Sequence, residues 1–244
     1  MKKLRLGMCL FLALGALASL LGTAAAAQDE SVVVIEVEGT IVPVVAQYIE
    51  RGIEYAEASG AVACVIKLNT PGGLLTSTER IVSSIMNADV PVVTYVSPKG
   101  AWAASAGTFI TLASHVAAMT PGTTIGAAHP VSGDGQEMPD YQVEKITEFS
   151  AKWMRTIAED RGRNIDEAVL AVTESKSFTD IQALETNLID LRTESLESLL
   201  EQVDGMEIRL ASGRVVILNT SGASADSLDM TAFERFLHAV TDPN

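Results

Sequence analysis

The residues best suited to chemistry in this sequence are one serine among small residues and a pair of glycines that precedes it. Ser105 lies in the run Gly100–Ile110 (GAWAASAGTFI), at the predicted start of a helix, and Gly72 and Gly73 follow a predicted strand. Acyl transfer needs a nucleophilic hydroxyl, a base and paired N–H donors for the oxyanion. The serine hydroxyl and the glycine amides, which no Cβ hinders, match the first and third needs. A tightly packed Ala-rich helix, in which Ser105 bonds to its own turn, is the purely structural alternative.

Three β-branched or apolar runs predict the strands that position this serine. They alternate with segments of helical periodicity, an order that predicts a parallel sheet with right-handed crossovers. Functional groups in such sheets gather beyond the carboxyl ends of the strands, where Gly72 and Gly73 lie. The predicted strands are Ser31–Ile41, Ala61–Leu68 and Val90–Val96, and the helices between them cover residues 42–58 and 75–88.

The second half of the chain predicts mostly supporting elements. Met206–Leu218 alternates around Ser212–Gly213 as a hairpin does, and Thr220–Ala225 has the composition of a small polar linker. The predicted helices are Glu144–Arg161, Ile165–Glu174, Ser177–Asp190 and Ser195–Val203.

The amino terminus has the pattern of a secretory signal peptide. Basic residues precede the apolar run Met8–Leu21, and the small residues up to Ala27 offer a cleavage site. We expect a signal peptide at 1–27, with retention as an uncleaved anchor as the alternative. A protease-like domain at 28–220 and a linker with an amphipathic segment at 221–244 would follow. Cys9 leaves with the signal, so Cys64 remains alone.

Composition and charge exclude several classes of protein. Hydrophobic residues make up 48% of the chain but aromatic residues only 5%, which favours an aliphatic α/β core. The formal charge is −14, and −17 without the three basic residues of the leader, so the surface repels nucleic acid and anionic lipid. With three histidines and no metal-ligand spacing, we expect neither a metal nor a cofactor.

Four short motifs give the chain a resemblance to a known family. The runs LNTPGG (68–73) and AASAGT (103–108), continued by IGAAHP (125–130) and RGRN (161–164), resemble the NfeD family of membrane-associated serine proteases. The resemblance implies an α/β fold, the Clp protease/crotonase-like ββα superhelix with mostly parallel sheets. It also implies a serine endopeptidase with a Ser-Lys dyad, a stomatin- or prohibitin-like membrane protein as partner, and a homodimer or higher homo-oligomer.

The resemblance assigns Ser105 as the nucleophile. Gly72 or Gly73, together with the Ala106 amide, would form the oxyanion hole. From their apolar side chains, Leu74, Trp102, Phe109 and Trp153 are candidates to line a cleft for hydrophobic peptides, and a place in the core is the alternative for the aromatic residues.

For the base, the resemblance points to a lysine. Lys145 lies near the start of the helix Glu144–Arg161, which resembles the family helix that delivers the base, and is favoured. Lys152, two turns further on the same face, is the alternative lysine. A lysine base must lose its proton, which requires desolvation or a neighbouring cation, and Glu144 beside Lys145 opposes this.

Two other interpretations stay open. His129 lies twenty-four positions after Ser105, a spacing similar to that between serine and histidine in the Clp proteolytic subunit, with Asp180 as a candidate orienting carboxylate. The chain is alternatively a catalytically inactive Clp-fold scaffold that binds a stomatin-like membrane protein. A crotonase-type acyl-CoA enzyme fits less well, because of the acidic surface, the export signal and Ser105.

Two segments concern the access of substrate to the site and the location of the protein in the cell. Val131–Asp140 is a polar loop expected to act as a mobile lid, and Phe233–Asn244 resembles the family segment that precedes the transmembrane helices of longer members. We expect an exported protein at the periplasmic or extracytoplasmic face of the membrane. It is either a natural soluble form or a piece of a longer, membrane-anchored protein.

Overall fold

The computed structural model describes residues 30–131 and 139–241. The predicted signal peptide and most of the predicted lid loop therefore lie outside the described residues. Within the described ranges, no helix is both long and apolar enough to cross a bilayer.

The first half of the chain alternates strands and helices, as its periodicity predicts. The first helix begins with Pro43, whose missing N–H costs nothing at a helix start, and ends at Gly60, which adopts a left-handed conformation with φ 72°. The elements are β1 (Ser31–Glu38), α1 (Pro43–Ser59), β2 (Ala63–Asn69), α2 (Leu75–Met86), β3 (Val92–Val96), β4 (Trp102–Ala104), α3 (Ala106–Ala113), β5 (Val116–Met119) and β6 (Thr124–Gly126).

The second half begins with the longest helix and continues with shorter elements. These are α4 (Asp140–Asp160), α5 (Ile165–Thr173), β7 (Ser177–Thr179), α6 (Asp180–Glu185), β8 (Leu191–Arg192), α7 (Leu196–Val203), β9 (Glu207–Arg209), β10 (Val215–Ile217), β11 (Ser224–Ser227) and α8 (Ala232–Thr241).

A six-stranded parallel sheet forms the centre of the molecule, in the order β11-β1-β2-β3-β5-β8. Its four central strands, β1, β2, β3 and β5, are mostly buried on both faces, as is usual in parallel sheets, whereas the edge strand β11 is exposed. On β1, Val33 and Ile35 face a large core that includes the helices α1, α2 and α3. Val32 and Val34 face a smaller core made with α7 and the β9–β10 hairpin.

A second, three-stranded sheet in the order β4-β6-β7 stands beside the first. It is joined to the central sheet by a parallel bridge between Thr70, just after β2, and Ala103 in β4. This junction brings two of the predicted site residues together, because Ser105 follows β4 directly and Gly72 lies two residues after Thr70.

The structure confirms the predicted parallel strands and the 206–218 hairpin, and it corrects two predictions. Ser177–Asp190 is not one helix, because Ser177–Thr179 pairs as a strand with β6 before the short helix α6 begins. The predicted linker Thr220–Ala225 runs into β11, which extends the central sheet by parallel pairing of Ser224 with Ser31. Backbone hydrogen bonds to β1 stabilise this strand, and its small polar side chains do not signal it.

Candidate active site

Ser105 occupies a strained turn between β4 and α3. Its backbone has φ 51° and ψ −112°, a conformation that costs a residue with a Cβ about 1–3 kcal/mol. Two hydrogen bonds hold it: the Ser105 N–H donates to the Gly126 carbonyl at 3.0 Å, and the Ser105 carbonyl accepts from the Thr108 N–H at 3.0 Å. The turn presents the hydroxyl at the N-terminus of a helix, where the partial charge is positive.

Thr108 fixes the strands around this turn. Its buried hydroxyl lies 2.9 Å from the Ala103 carbonyl and 2.8 Å from the Gly126 carbonyl, and it accepts from the Gly126 N–H at 3.1 Å. The first turn of α3 is thereby tied to both β4 and β6.

Gly72 packs directly against the serine. It has φ +128°, and a Cβ there would lie 2.8 Å from the Ser105 Cβ and 3.2 Å from the Ser105 Oγ. Only glycine fits this position. Its N–H donates to the Thr70 Oγ1 at 3.1 Å, so this amide already has an acceptor inside the protein.

Gly73 and Ala106 are the better matches to the predicted oxyanion hole. Neither N–H donates to another group within residues 30–131 and 139–241. Gly73 lies against the backbone of Ile41, where an added Cβ would approach the Ile41 carbonyl oxygen to 2.2 Å. Ala106 is the first residue of α3, so its N–H belongs to the free N-terminus of that helix.

The two predicted lysines differ in their surroundings. Lys152 is a surface residue whose side chain is 74% exposed and pairs with Glu148 at 2.7 Å, one helical turn away. Lys145 is also exposed, but it lines an open cleft of about 670 Å³ that His129 lines as well. Ser105 does not line this cleft, and in the described part of the chain its hydroxyl makes no hydrogen bond.

His129 and Asp180 are not brought together. The His129 Nδ1 lies 3.0 Å from the Val172 carbonyl oxygen. The buried Asp180 carboxylate accepts from the Arg192 Nε at 2.6 Å and from the Gly122 N–H at 3.0 Å. The sequence-based pairing of these two residues is therefore wrong, because a backbone carbonyl orients the imidazole and an arginine occupies the carboxylate.

The apolar residues predicted to form the substrate cleft divide between surface and core. Leu74 is 46% exposed and Trp102 is 52% exposed, so both are open to a ligand. Phe109 is instead 4% exposed and stacks on Trp153 with 4.7 Å between ring centroids. It is a core residue in this structure, since its helix α3 is buried on all sides.

Metal and thiol chemistry find no support among the described residues. Within them, no group of three or more histidine, cysteine and carboxylate side chains is arranged to hold a metal ion. Burial raises the pKa of the Cys64 thiol to about 12, so this side chain stays protonated at neutral pH.

Sequence reasoning missed two threonines that shape the site, Thr70 and Thr108. Both lie inside the quoted motifs LNTPGG and AASAGT. A threonine two residues before a glycine is a known turn signal, and it identifies the Thr70 to Gly72 hydrogen bond. Nothing local to the sequence reveals that the Thr108 hydroxyl reaches β6.

Comparisons with known proteins connect this geometry to a family. A family model described as NfeD1b, N-terminal domain, matches residues 31–208. The chain is 35% identical over 215 residues to the membrane-bound protease PH1510 of Pyrococcus horikoshii, a match that covers 87% of this chain and 49% of that protein. It is 36% identical over 121 residues to the membrane protein NfeD1b of Bacillus subtilis, covering 49% of this chain and 27% of that protein. The chain thus spans about half the length of the first relative.

Solved structures show the same fold. One is the 1510-N membrane-bound stomatin-specific protease, solved as a lysine-to-alanine mutant with a substrate peptide. It has a TM-score of 0.81 and 33% identity, covering 88% of this chain and 99% of that one. ClpP1 of Listeria monocytogenes, at 20% identity, has a TM-score of 0.54 and covers 68% of this chain and 94% of that one. The predicted Clp-like α/β fold is confirmed.

Proposed function

This chain belongs to the family of the NfeD1b N-terminal domain, and on that premise we propose that it is a serine endopeptidase with a Ser105–Lys145 dyad. The strained backbone of Ser105 at a helix N-terminus, beside two amides that have no acceptor among the described residues, is the observation that supports this most directly. Structures of 1510-N with a lysine or a serine replaced by alanine are consistent with these two residue types in a related protease.

The reaction follows from the groups present. Neutral Lys145 takes the hydroxyl proton as the Ser105 Oγ attacks the carbonyl carbon of the peptide. The N–H groups of Gly73 and Ala106 donate to the oxygen that becomes negative. The Lys145 ammonium then gives its proton to the leaving amine nitrogen as the C–N bond breaks. Water hydrolyses the resulting ester by the same proton transfers in reverse order.

The dyad in this proposal forms when substrate binds. Lys145 is exposed, and its cleft adjoins the segment after Gly126, whose carbonyl accepts from the Ser105 N–H. A peptide laid across this surface would cover the lysine and remove water, which favours the neutral amine. Catalytic hydrogen bonds that are absent in a free enzyme commonly form only in the substrate complex.

The proposed substrate is a hydrophobic segment of a stomatin-like membrane protein. Leu74 directly follows Gly73 and Trp102 lies three residues before Ser105. Both leave apolar surface exposed for such a segment. PH1510 is named a membrane-bound protease and 1510-N is named stomatin-specific. We accordingly propose an exported, membrane-associated protease that acts as a homo-oligomer and carries the signal peptide at 1–27.

Cleavage of an apolar fluorogenic peptide tests the proposal. We expect turnover by the wild-type chain and a loss of at least ~1000-fold in Ser105→Ala, because the nucleophile is removed. Mass spectrometry of the wild type under single-turnover conditions should find the acyl group on the peptide that contains Ser105. Cleavage that survives intact in Ser105→Ala would exclude the serine mechanism.

Two alternatives keep specific support. The His129 Nδ1 faces the Val172 carbonyl oxygen, so it donates in the neutral ring and leaves Nε2 as a potential base. Among residues 30–131 and 139–241, no base is hydrogen-bonded to Ser105, which suits an inactive scaffold for a stomatin-like partner. Loss of cleavage in His129→Ala but not Lys145→Ala would favour the first, and partner binding without turnover would favour the second.

A further inference from the structure

The helix that follows Ser105, which we call the serine helix, ends inside the protein. All eight residues of α3 are buried, and its last turn contains no basic residue. The end of any helix leaves four carbonyl groups without partners among its own amides. Buried carbonyls without donors are costly, so the partners of these four groups show what fixes the helix.

Ser114, the residue after the helix, satisfies the first two carbonyls. Its Oγ donates to the Ile110 carbonyl at 3.1 Å, and its N–H donates to the Thr111 carbonyl at 3.3 Å. These contacts are local and resemble ordinary C-terminal caps.

Two arginines from far along the chain satisfy the other two carbonyls. The Arg163 Nε donates to the Leu112 carbonyl at 3.0 Å, and the Arg161 Nε donates to the Ala113 carbonyl at 2.6 Å. Cations at this position also complement the negative end of the helix dipole. The C-terminus of the serine helix is thus held by nonlocal, charged donors.

Arg163 also connects the end of this helix to the central sheet. It is 5% exposed, and it donates to the Leu188 carbonyl at 3.0 Å and to the Asp190 Oδ2 at 3.0 Å. The same carboxylate oxygen accepts from the Ala117 N–H of β5 at 2.7 Å. A planar guanidinium with several fixed donors suits such a junction better than a lysine would.

The arginines directly follow α4, the helix that carries Lys145. We infer that Arg161 and Arg163 form a joint that sets the angle between the serine helix α3 and the lysine helix α4, and so act as positioning residues for the proposed dyad. The stacking of Phe109 on Trp153 is a second contact between the same two helices. The catalytic part of this inference rests on the proposed function.

A small change of the angle at this joint would move the distant Lys145 by a large distance. Lys145 lies sixteen residues before Arg161, or about 24 Å along a helix. A tilt of about 5° at the joint would therefore move the lysine by about 2 Å, and a misplacement of about 1 Å costs on the order of 100-fold in rate.

Arg161→Gln tests the joint, with Arg155→Gln as the matched control. Arg155 lies on α4, shortly before Arg161, and its side chain is exposed. Its substitution removes the same charge. We expect kcat to fall at least ~30-fold in Arg161→Gln with KM within about threefold, and both constants to stay near wild type in the control. Arg161→Lys, which restores a cationic donor for the Ala113 carbonyl, should recover part of the kcat.

Hydrogen exchange tests the joint without any activity. Amides of residues 106–113 should exchange at least ~10-fold faster in Arg161→Gln than in Arg155→Gln, and those of α2 at the same rate in both. If the wild type does not cleave peptides, the peptidase proposal fails and this comparison still decides the joint. Equal exchange in the two variants, or equal kcat in an active enzyme, would overturn it.

Discussion

At the scale of single residues, the site depends on how closely backbone approaches Ser105. The serine is held at φ 51°, and the Gly72 backbone lies where a side chain would collide with it. Local strain of this kind persists only where the surrounding structure enforces it. Here Gly126, Thr108 and Gly72 supply that enforcement from three different segments.

Gly72→Ala should strongly lower peptidase activity. The new methyl would displace the Ser105 side chain, because the two carbon atoms would otherwise be 2.8 Å apart. We expect kcat/KM for an apolar peptide to fall at least ~100-fold. The control is Gly60→Ala, because Gly60 also has a positive φ, of +72°, but no neighbouring atom of the described residues lies within 4 Å of a Cβ added there. A similar loss of activity in both variants would show that the contact with Ser105 is unimportant.

At the scale of elements, α3 is fixed at both ends by polar contacts to other segments. Thr108 ties its first turn to β4 and β6, and the arginines tie its last turn to the chain after α4. An eight-residue helix is too short to be stable by itself. The position of α3 is therefore set by the segments that pack around it.

Thr108→Val should destabilise the protein more than Thr111→Val. Both threonines are buried on α3, but within the described ranges the Thr111 hydroxyl donates only to the Gly107 carbonyl of its own helix, at 2.7 Å. Removing the Thr108 hydroxyl leaves the Gly126 N–H without its acceptor, which costs about 1–3 kcal/mol. Urea unfolding of the two variants measures the difference. Equal midpoints would mean that the contact with β6 contributes nothing.

The sequence predicts the elements around the site better than the contacts between them. Periodicity identifies the strands and the helix start at Ser105, because those signals are local. It cannot separate a core aromatic such as Phe109 from one in a cleft, since both need an apolar side chain on the same helix face. Nor can it show that Arg163 caps a helix fifty residues earlier, because the fold brings those segments together.

At the scale of the whole molecule, the central parallel sheet supports the site. A buried histidine beside one of its strands limits the stability of the protein in acid. His115 lies just before β5, where its Nδ1 accepts from the Val92 N–H at 3.1 Å and its buried Nε2 has no partner in the part of the chain that the structure describes. Burial first, and then nearby Arg161, lower the pKa of His115 from 6.5 to about 3. The folded state therefore prefers the neutral ring.

Stability should fall as the pH drops below the unfolded pKa of this histidine. Below pH 6.5 the unfolded chain binds a proton that the folded chain does not bind until about pH 3. His115→Asn cannot titrate, so between pH 7 and pH 5 it should lose about 2 kcal/mol less unfolding free energy than the wild type. Chemical denaturation at both pH values gives these numbers. Parallel losses in the two proteins would show that His115 is not the titrating group.

The proposed Ser-Lys mechanism is tested most directly by replacing its base, Lys145. The measurement is the initial rate of cleavage of an apolar fluorogenic peptide by Lys145→Ala, with Lys152→Ala and His129→Ala beside it. We predict a loss of about 100- to 10,000-fold in Lys145→Ala, the range expected for a general base, and a change within about twofold in Lys152→Ala, whose surface ion pair contributes little. Full activity in Lys145→Ala, together with its loss in His129→Ala, would contradict the account.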